Sequence, residues 1–299
     1  MMFNKTYFFL FLLLGFQMNA QVKGIVVDKS GKAIPYVNIW VNGENIGTTS
    51  NEDGSFHLNY DGQKEVIFSA IGYESKKVNS KNLNRVLLKF KIQNLDEVVI
   101  QKRLGKKEIE IGKFKKRKID RYVSSSSKPL IIATRIKGDE NAKMYPFIKE
   151  IKFLTSSHLK EAKINLRFFE VLEDGSPGVD VLEKNILVVV KEGTNVNSLL
   201  LSDYNLKLPK DGLFVAFEWL IIQDNLWEIE VEKNSNLNNK KMLINYEPRL
   251  GMISSSSQNT FFFLGGNWQK RQKISEPENN SLSSILNHWQ IAVSLKLTN

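Results

Sequence analysis

The chain has 299 residues, no cysteine and a formal net charge of +10, so it is long enough for two hydrophobic cores and must hold both without disulfides. The positive balance invites a nucleic-acid reading, but it is concentrated: residues 101–121 carry ten Lys or Arg against three Asp or Glu. Phe114 is the single aromatic of that stretch, where base stacking needs several interleaved rings, so no nucleic-acid partner is expected.

At the N-terminus, Lys5 precedes an apolar run from Tyr7 to Phe16, and a short polar stretch ends at Ala20. This is the pattern of a signal peptide over 1–20, with Gln21 as the first mature residue, although Met18 is large for its position before the cleavage site. Ten apolar residues fall short of the roughly 20 that a spanning helix needs. The expectation is an exported chain in the periplasm or associated with the outer membrane, without a lipid-bearing cysteine.

From Val22 the pattern becomes β. Val22 to Asp28 and Pro35 to Val41 are short runs with apolar residues at every second position, which points Val37, Ile39 and Val41 to a core. Lys29-Ser30-Gly31-Lys32 reads as the turn between them, with Gly31 free to take positive φ. Asn51-Glu52-Asp53-Gly54 is a second turn and delivers Phe56 and Leu58 to the next strand. Val66 to Ile71 reads as a strand buried on both faces. Asn84 to Ile92 alternates again, with Val86, Leu88 and Phe90 on one side.

The series Gly24, Val26, Asp28, Gly31, Pro35, Gly47-Thr48-Thr49, Asp53-Gly54, Phe56 and Ile71-Gly72-Tyr73 resembles the carboxypeptidase-like regulatory domain. That domain is a transthyretin-like β-sandwich of exported and outer-membrane proteins of the Bacteroidota, and the resemblance implies no peptidase activity. Leu95-Asp96-Glu97-Val98-Val99-Ile100 resembles the segment that joins this domain to the plug of TonB-dependent receptors. The resemblance implies the receptors' front module over 21–100. It does not imply their pore, because 22 strands of about 10 residues exceed the 199 residues that remain.

Residues 101–128 are charge-dense, then Ser-rich from Ser124 to Ser127, and end at Lys128-Pro129. They read as a basic linker, with Ile109, Ile111 and Phe114 as its few apolar residues. Lys115, Lys116, Arg117 and Lys118 are candidates for contact with an anionic membrane surface, where each cation can add about 1 kcal/mol.

A second β-rich domain is expected over 129–299. Ile148 to Leu154 and Ile164 to Val171 read as two strands, Asp174-Gly175-Ser176-Pro177-Gly178 as a turn, and Ile186 to Val190 as an apolar strand. Leu213 to Ile222 is the most hydrophobic segment after the leader, and its β-branched and aromatic content argues for a central strand. Trp227 to Val231, Met242 to Tyr246, Phe261 to Leu264 and Trp289 to Leu297 complete the set. The expected fold is all-β: two β-sandwich domains, the first transthyretin-like and the second jelly-roll-like.

No catalytic residue, metal ligand or cofactor is expected. His158-Leu159-Lys160-Glu161 fits H-x-x-E, with His288 further on, but Thr155-Ser156-Ser157 reads as a loop. Only eleven residues follow His288, with no Glu among them, so a zinc peptidase set is incomplete. Asp174, Asp180, Asp203, Glu218 and Asp224 are available for glycoside hydrolysis, without spacing that pairs any two. No Gly-x-Ser-x-Gly turn or phosphate loop occurs. Leu264-Gly265-Gly266-Asn267-Trp268-Gln269 places a Trp beside glycines and amides, which makes Asn267 and Trp268 candidate glycan-binding residues; packing of Trp268 under a turn is the alternative. Trp40, Trp219 and Trp227 read as core or sheet-surface residues. The chain thus reads as an exported, non-catalytic binding or structural protein whose partner is a protein or glycan of the cell envelope. An accessory subunit of an outer-membrane TonB-dependent transport complex is the alternative, and a hydrolase comes third.

Overall fold

The computed structural model describes residues 21–91, 105, 107–126, 128–138, 140, 142–232, 240–270 and 288–299. The expected signal peptide and the hexapeptide at 95–100 lie outside them. The fold is all-β and consists of two β-sandwich domains.

Among the described residues, the first domain has seven strands: β1 (Gln21–Val27), β2 (Asn38–Val41), β3 (Gly47–Thr49), β4 (Ser55–Asn59), β5 (Glu65–Ser69), β6 (Lys76–Asn79) and β7 (Arg85–Leu87). They form two sheets, in the orders β4-β1-β7 and β3-β2-β5-β6. Alternation decides which side chains fill the space between them. Val26, Ile39, Val41, Phe56, Leu58, Val66, Phe68, Val86 and Leu88 point inward and form one core with Val37. Gly31 takes the expected positive φ, 85°.

Two details differ from the sequence expectation. β5 is not buried on both faces: Val66 and Phe68 are buried, while Ile67 is half-buried on the other side. Phe90 leaves the row of Val86 and Leu88, is 55% exposed and stacks on Tyr73 at 4.6 Å.

The second domain contains β8 (Glu108–Ile111), β9 (Arg121–Ser125), β10 (Ile131–Ile136), β11 (Phe147–Val171), β12 (Pro177–Asp180), β13 (Ile186–Leu200), β14 (Leu213–Trp219), β15 (Leu226–Glu232), β16 (Lys240–Ser255), β17 (Thr260–Leu264), β18 (Asn267–Lys270), β19 (His288–Ile291) and β20 (Val293–Thr298). They belong to one hydrogen-bonded network that folds over itself through its long strands. The first half of β11 pairs with β20 and its second half with β14. β13 follows β11 along both halves, with a register shift between Ser157 and Glu161. The layers close on a shared core in which Phe153 of the first half of β11 meets Phe217 of β14 at 4.6 Å.

β11 is one strand where the sequence predicts two, joined by a loop at Thr155-Ser156-Ser157. The structure corrects this: the three residues are buried strand positions. Their hydroxyls have partners that the sequence does not show, among them Asn197 Nδ2, which donates to Thr155 Oγ1 at 2.8 Å.

The basic linker is corrected as well. Glu108–Ile111 pairs with β20 and Arg121–Ser125 pairs with β16, so two pieces of the 101–128 stretch are strands of the second domain. Ile109, Ile111 and Val123 explain this, because each packs against the second core despite the charge density around it.

Candidate functional site

The two domains meet through a face that strand alternation creates on each side. In β14, Leu213, Val215, Phe217 and Trp219 enter the sandwich core, while Phe214 and Ala216 belong to a second cluster outside it with Ile131, Ala133, Phe169 and Phe261. In β2, Ile39 and Val41 fill the first core, which turns Asn38 and Trp40 the other way. Both are nonetheless buried, because this side of β2 lies on the outer face of β14 and β17. Trp40 meets Phe263 edge-on at 5.8 Å. Gly266 has φ 87°, and a Cβ there would lie 2.8 Å from Trp40 Nε1, so the turn before β18 admits the indole only with glycine. The backbone N–H of Ile221 donates to Thr49 Oγ1 at 3.0 Å.

A charge network lies within this contact. Asn38 Nδ2 donates to Glu218 Oε1, and Asn165 Nδ2 donates to Glu218 Oε2 at 3.2 Å. Arg167 Nη1 reaches Glu218 Oε1 at 3.1 Å, and Arg167 Nε donates to Asp180 Oδ1 at 2.9 Å. Burial pushes the Glu218 carboxyl above its usual range, against the pull of Arg167 and the Asn165 hydrogen bond. Burial also works to lower the Arg167 pKa, but Glu218 and Asp180 outweigh it and hold the guanidinium charged. Buried charges persist when they are paired and hydrogen-bonded in this way.

Two clefts open along the same seam. One of about 150 Å³ runs between Ile71-Gly72-Tyr73 and Gly178–Glu183. The other, of about 380 Å³, is lined by Tyr36, Glu52, Asp53, Lys163 and Asp224; Lys163 Nζ donates to Asp224 Oδ2 at 3.0 Å across its wall.

The five acids weighed for glycoside hydrolysis are now placed. Asp180 and Glu218 share Arg167, and Asp224 pairs with Lys163. Asp174 accepts from the Ser176 N–H at 2.8 Å in its own turn, and Asp203 lies in a short 3-10 turn. Trp268 is not presented as an open platform: its ring packs against Phe169 and Phe263, each at 5.1 Å. Asn267 beside it is exposed.

His158 does not pair with Glu161 of its motif. A register shift separates it from Glu161, which is exposed. The partner is Glu247, whose Oε1 lies 2.8 Å from His158 Nδ1. A carboxylate accepts, so the proton of this bond sits on Nδ1. Nε2 then faces Arg249 Nη2 at 3.3 Å. The imidazole stacks on Trp227 with centroids 4.0 Å apart and planes 9° from parallel. Glu247 is fully buried. Among the described residues, no three His, Cys, Asp or Glu lie close enough to hold a metal ion. Sequence reasoning missed Glu247 and Arg249 because they lie about 90 residues from His158, with no spacing signal to join them.

Lys115, Lys116, Arg117 and Lys118 are all exposed. They form a short turn whose Lys116 Nζ donates to Thr194 O at 2.9 Å.

Residues 22–100 match the family model of the CarboxypepD_reg-like domain. The same region is similar to TonB-dependent receptor P39 of Formosa agariphila, 36% identical over 88 residues. It is also similar to TonB-dependent receptor SusC of Bacteroides thetaiotaomicron, 34% identical over 85 residues. Each match covers 28% of this chain and 8% of the receptor, so the likeness belongs to the first domain.

Proposed function

We propose that this chain is an exported, non-catalytic binding protein of the cell envelope, in which the CarboxypepD_reg-like domain serves as a mount for the second sandwich. The observation that supports this reading most is the seam. The domain that resembles the receptors' front module is fastened to the second sandwich by Asn38, Trp40 and Thr49, and three of the second domain's acids are tied to cations instead of facing one another. The partner in this reading is a protein or glycan of the envelope. Fractionation of cells producing the full chain tests it. The expected product begins at Gln21 and is recovered with the envelope; a full-length product beginning at Met1 in the cytosol would overturn the reading.

A second reading, an accessory subunit of a TonB-dependent transport complex, is favoured by the similarity to the two receptors. Crosslinking in intact cells followed by detergent extraction separates the two. Recovery of a receptor of that class with the chain supports the second, and recovery of the chain with glycan alone supports the first.

A further inference from the structure

We propose that the surface around Arg249 is a binding site for an acidic saccharide, a sugar that carries carboxylate, sulfate or phosphate groups. The inference deepens the reading of the chain as a binding protein and rests on it.

Four side chains from four strands form one ladder there. Trp227 of β15 stacks on His158 of β11. His158 contacts the Arg249 guanidinium of β16, and Arg249 lies 5.8 Å from the ring centroid of Tyr122 of β9. The ladder is fixed from below. Glu247 is completely buried and holds Nδ1 of His158, while Arg249 Nη2 donates to Ser156 Oγ at 3.0 Å. The upper groups stay open to solvent: the side chains of His158 and Arg249 are 38% and 31% exposed.

The site also carries unmet hydrogen bonds of opposite kind. Glu247 Oε2 is a buried acceptor and Arg249 Nε a buried donor; neither makes a hydrogen bond within the protein, and Arg249 Nε stands 3.7 Å from Glu247 Oε1, an ion pair too long to be one. A hydroxyl, from water or from a sugar, is the group that gives to one and takes from the other.

The charge of the surroundings selects an anion. Ser156 Oγ, which holds Arg249, also accepts from Thr194 Oγ1 at 3.3 Å, and the Thr194 carbonyl receives Lys116 Nζ. The basic turn of Lys115 to Lys118 is therefore attached to the ladder through Thr194 and Ser156. On the neighbouring bend the charges of Lys160, Glu161, Lys191 and Glu192 sum to zero, and Arg249 is paired with the buried Glu247, so the exposed turn of Lys115 to Lys118 sets the sign of the surroundings. A planar guanidinium takes carboxylate, sulfate or phosphate oxygens as a fork, and aromatic rings cover the apolar face of a pyranose. An acidic saccharide presents both kinds of group together, free in solution or as the headgroup of lipopolysaccharide.

Titration calorimetry on the mature chain tests the proposal. The probes are a uronate hexasaccharide, a sulfated hexasaccharide and a neutral glucose hexasaccharide, and a single-stranded oligonucleotide is the polyanion control. An acidic hexasaccharide is expected to bind and the neutral one not to. Arg249→Gln should weaken that binding by about tenfold to a hundredfold, the loss that follows removal of a charge-assisted hydrogen-bonding group. Arg249→Lys keeps a charge beside Glu247 and loses the fork, so it should bind between the two. Trp227→Ala removes an aromatic rung without touching a charge and should weaken binding as well. Replacing Lys115, Lys116, Arg117 and Lys118 with Gln should flatten the salt dependence. Vesicles with and without lipopolysaccharide distinguish a lipid-linked source from a free one.

Equal binding of neutral and acidic sugars, a preference for the oligonucleotide, or undiminished binding in both Arg249→Gln and Trp227→Ala would overturn the site. If the site is overturned in this way, retention of an envelope partner by all variants alike would leave the broader reading standing without it.

Discussion

The second sandwich has two outer faces, and they handle charge in opposite ways. The face made by β10, β14, the second half of β11 and β17 is apolar around Ile131, Ala133, Ala216 and Phe261, and the first domain lies on it. Its few charges, Arg167, Glu218 and Asp180, are joined in one network. On the face made by β8, β20 and the first half of β11 the cations are partly exposed, while Glu150 and Ser294 beneath them are buried. There Lys296 pairs with Glu150 at 2.7 Å, Glu108 pairs with Lys149, and Ser294 Oγ donates to Glu110 at 3.0 Å. A covered charge is costly to leave alone, whereas exposed pairs exchange readily with water. The difference marks which face the fold uses to hold its own parts and which it leaves to solvent.

The comparison breaks most visibly at Arg167. Arg167→Ala leaves Glu218 and Asp180 without their cation inside the seam, and the expected cost is about 3–5 kcal/mol, the range for removing one partner of a buried pair. Chemical denaturation of the two proteins measures it. Trp40→Ala removes the indole that fits against Phe263 and Gly266, with an expected loss of about 3 kcal/mol by the same method.

The two faces should also separate by pH. The Glu218 pKa is raised by burial, so the folded chain holds this proton more tightly than the unfolded one. Its contribution is present below the ordinary Glu range and is lost as pH rises through the raised value. Glu150 is held below the usual range by hydrogen bonds from Lys296 and Ser198. Its contribution is present above the ordinary Glu range and is lost as pH falls through the lowered value. In stability curves from about pH 3 to about pH 8, Glu218→Gln should remove a decline on the rising side. Glu150→Gln should remove one on the acidic side. The smallest effect is expected from Lys296→Gln, which removes the hydrogen bond that does most to hold Glu150 down and should therefore remove part of the same acid-side loss, while Ser198 keeps the rest.

How much of this was legible in the sequence depended on how local the cause was. The first domain's turns and alternating strands are set by neighbours a few residues apart, so Gly31, Phe56 and Leu58 could be placed at once. The central position of Leu213–Trp219 was legible from its composition. The seam was not, because Asn38 and Glu218 lie 180 residues apart, and an Asn in a strand pattern carries no sign of a buried partner. In the basic stretch, charge density masked the alternation of Glu108-Ile109-Glu110-Ile111, which is a strand signal once β20 supplies the other edge. Trp268 looked like a platform because its local company of glycines and amides suits one, while the rings that pack against it come from β11 and β17. The partner of His158 was hidden for the same reason, since Glu247 is on another strand.

The central claim is that the first domain is held to the second through the covered face and not merely tethered to it. Differential scanning calorimetry of the mature chain, with and without Trp40→Ala, tests this most directly. The account predicts that wild type melts in one cooperative transition and that Trp40→Ala lowers and divides it into two. Two separate transitions in wild type, both unmoved by Trp40→Ala, would contradict it.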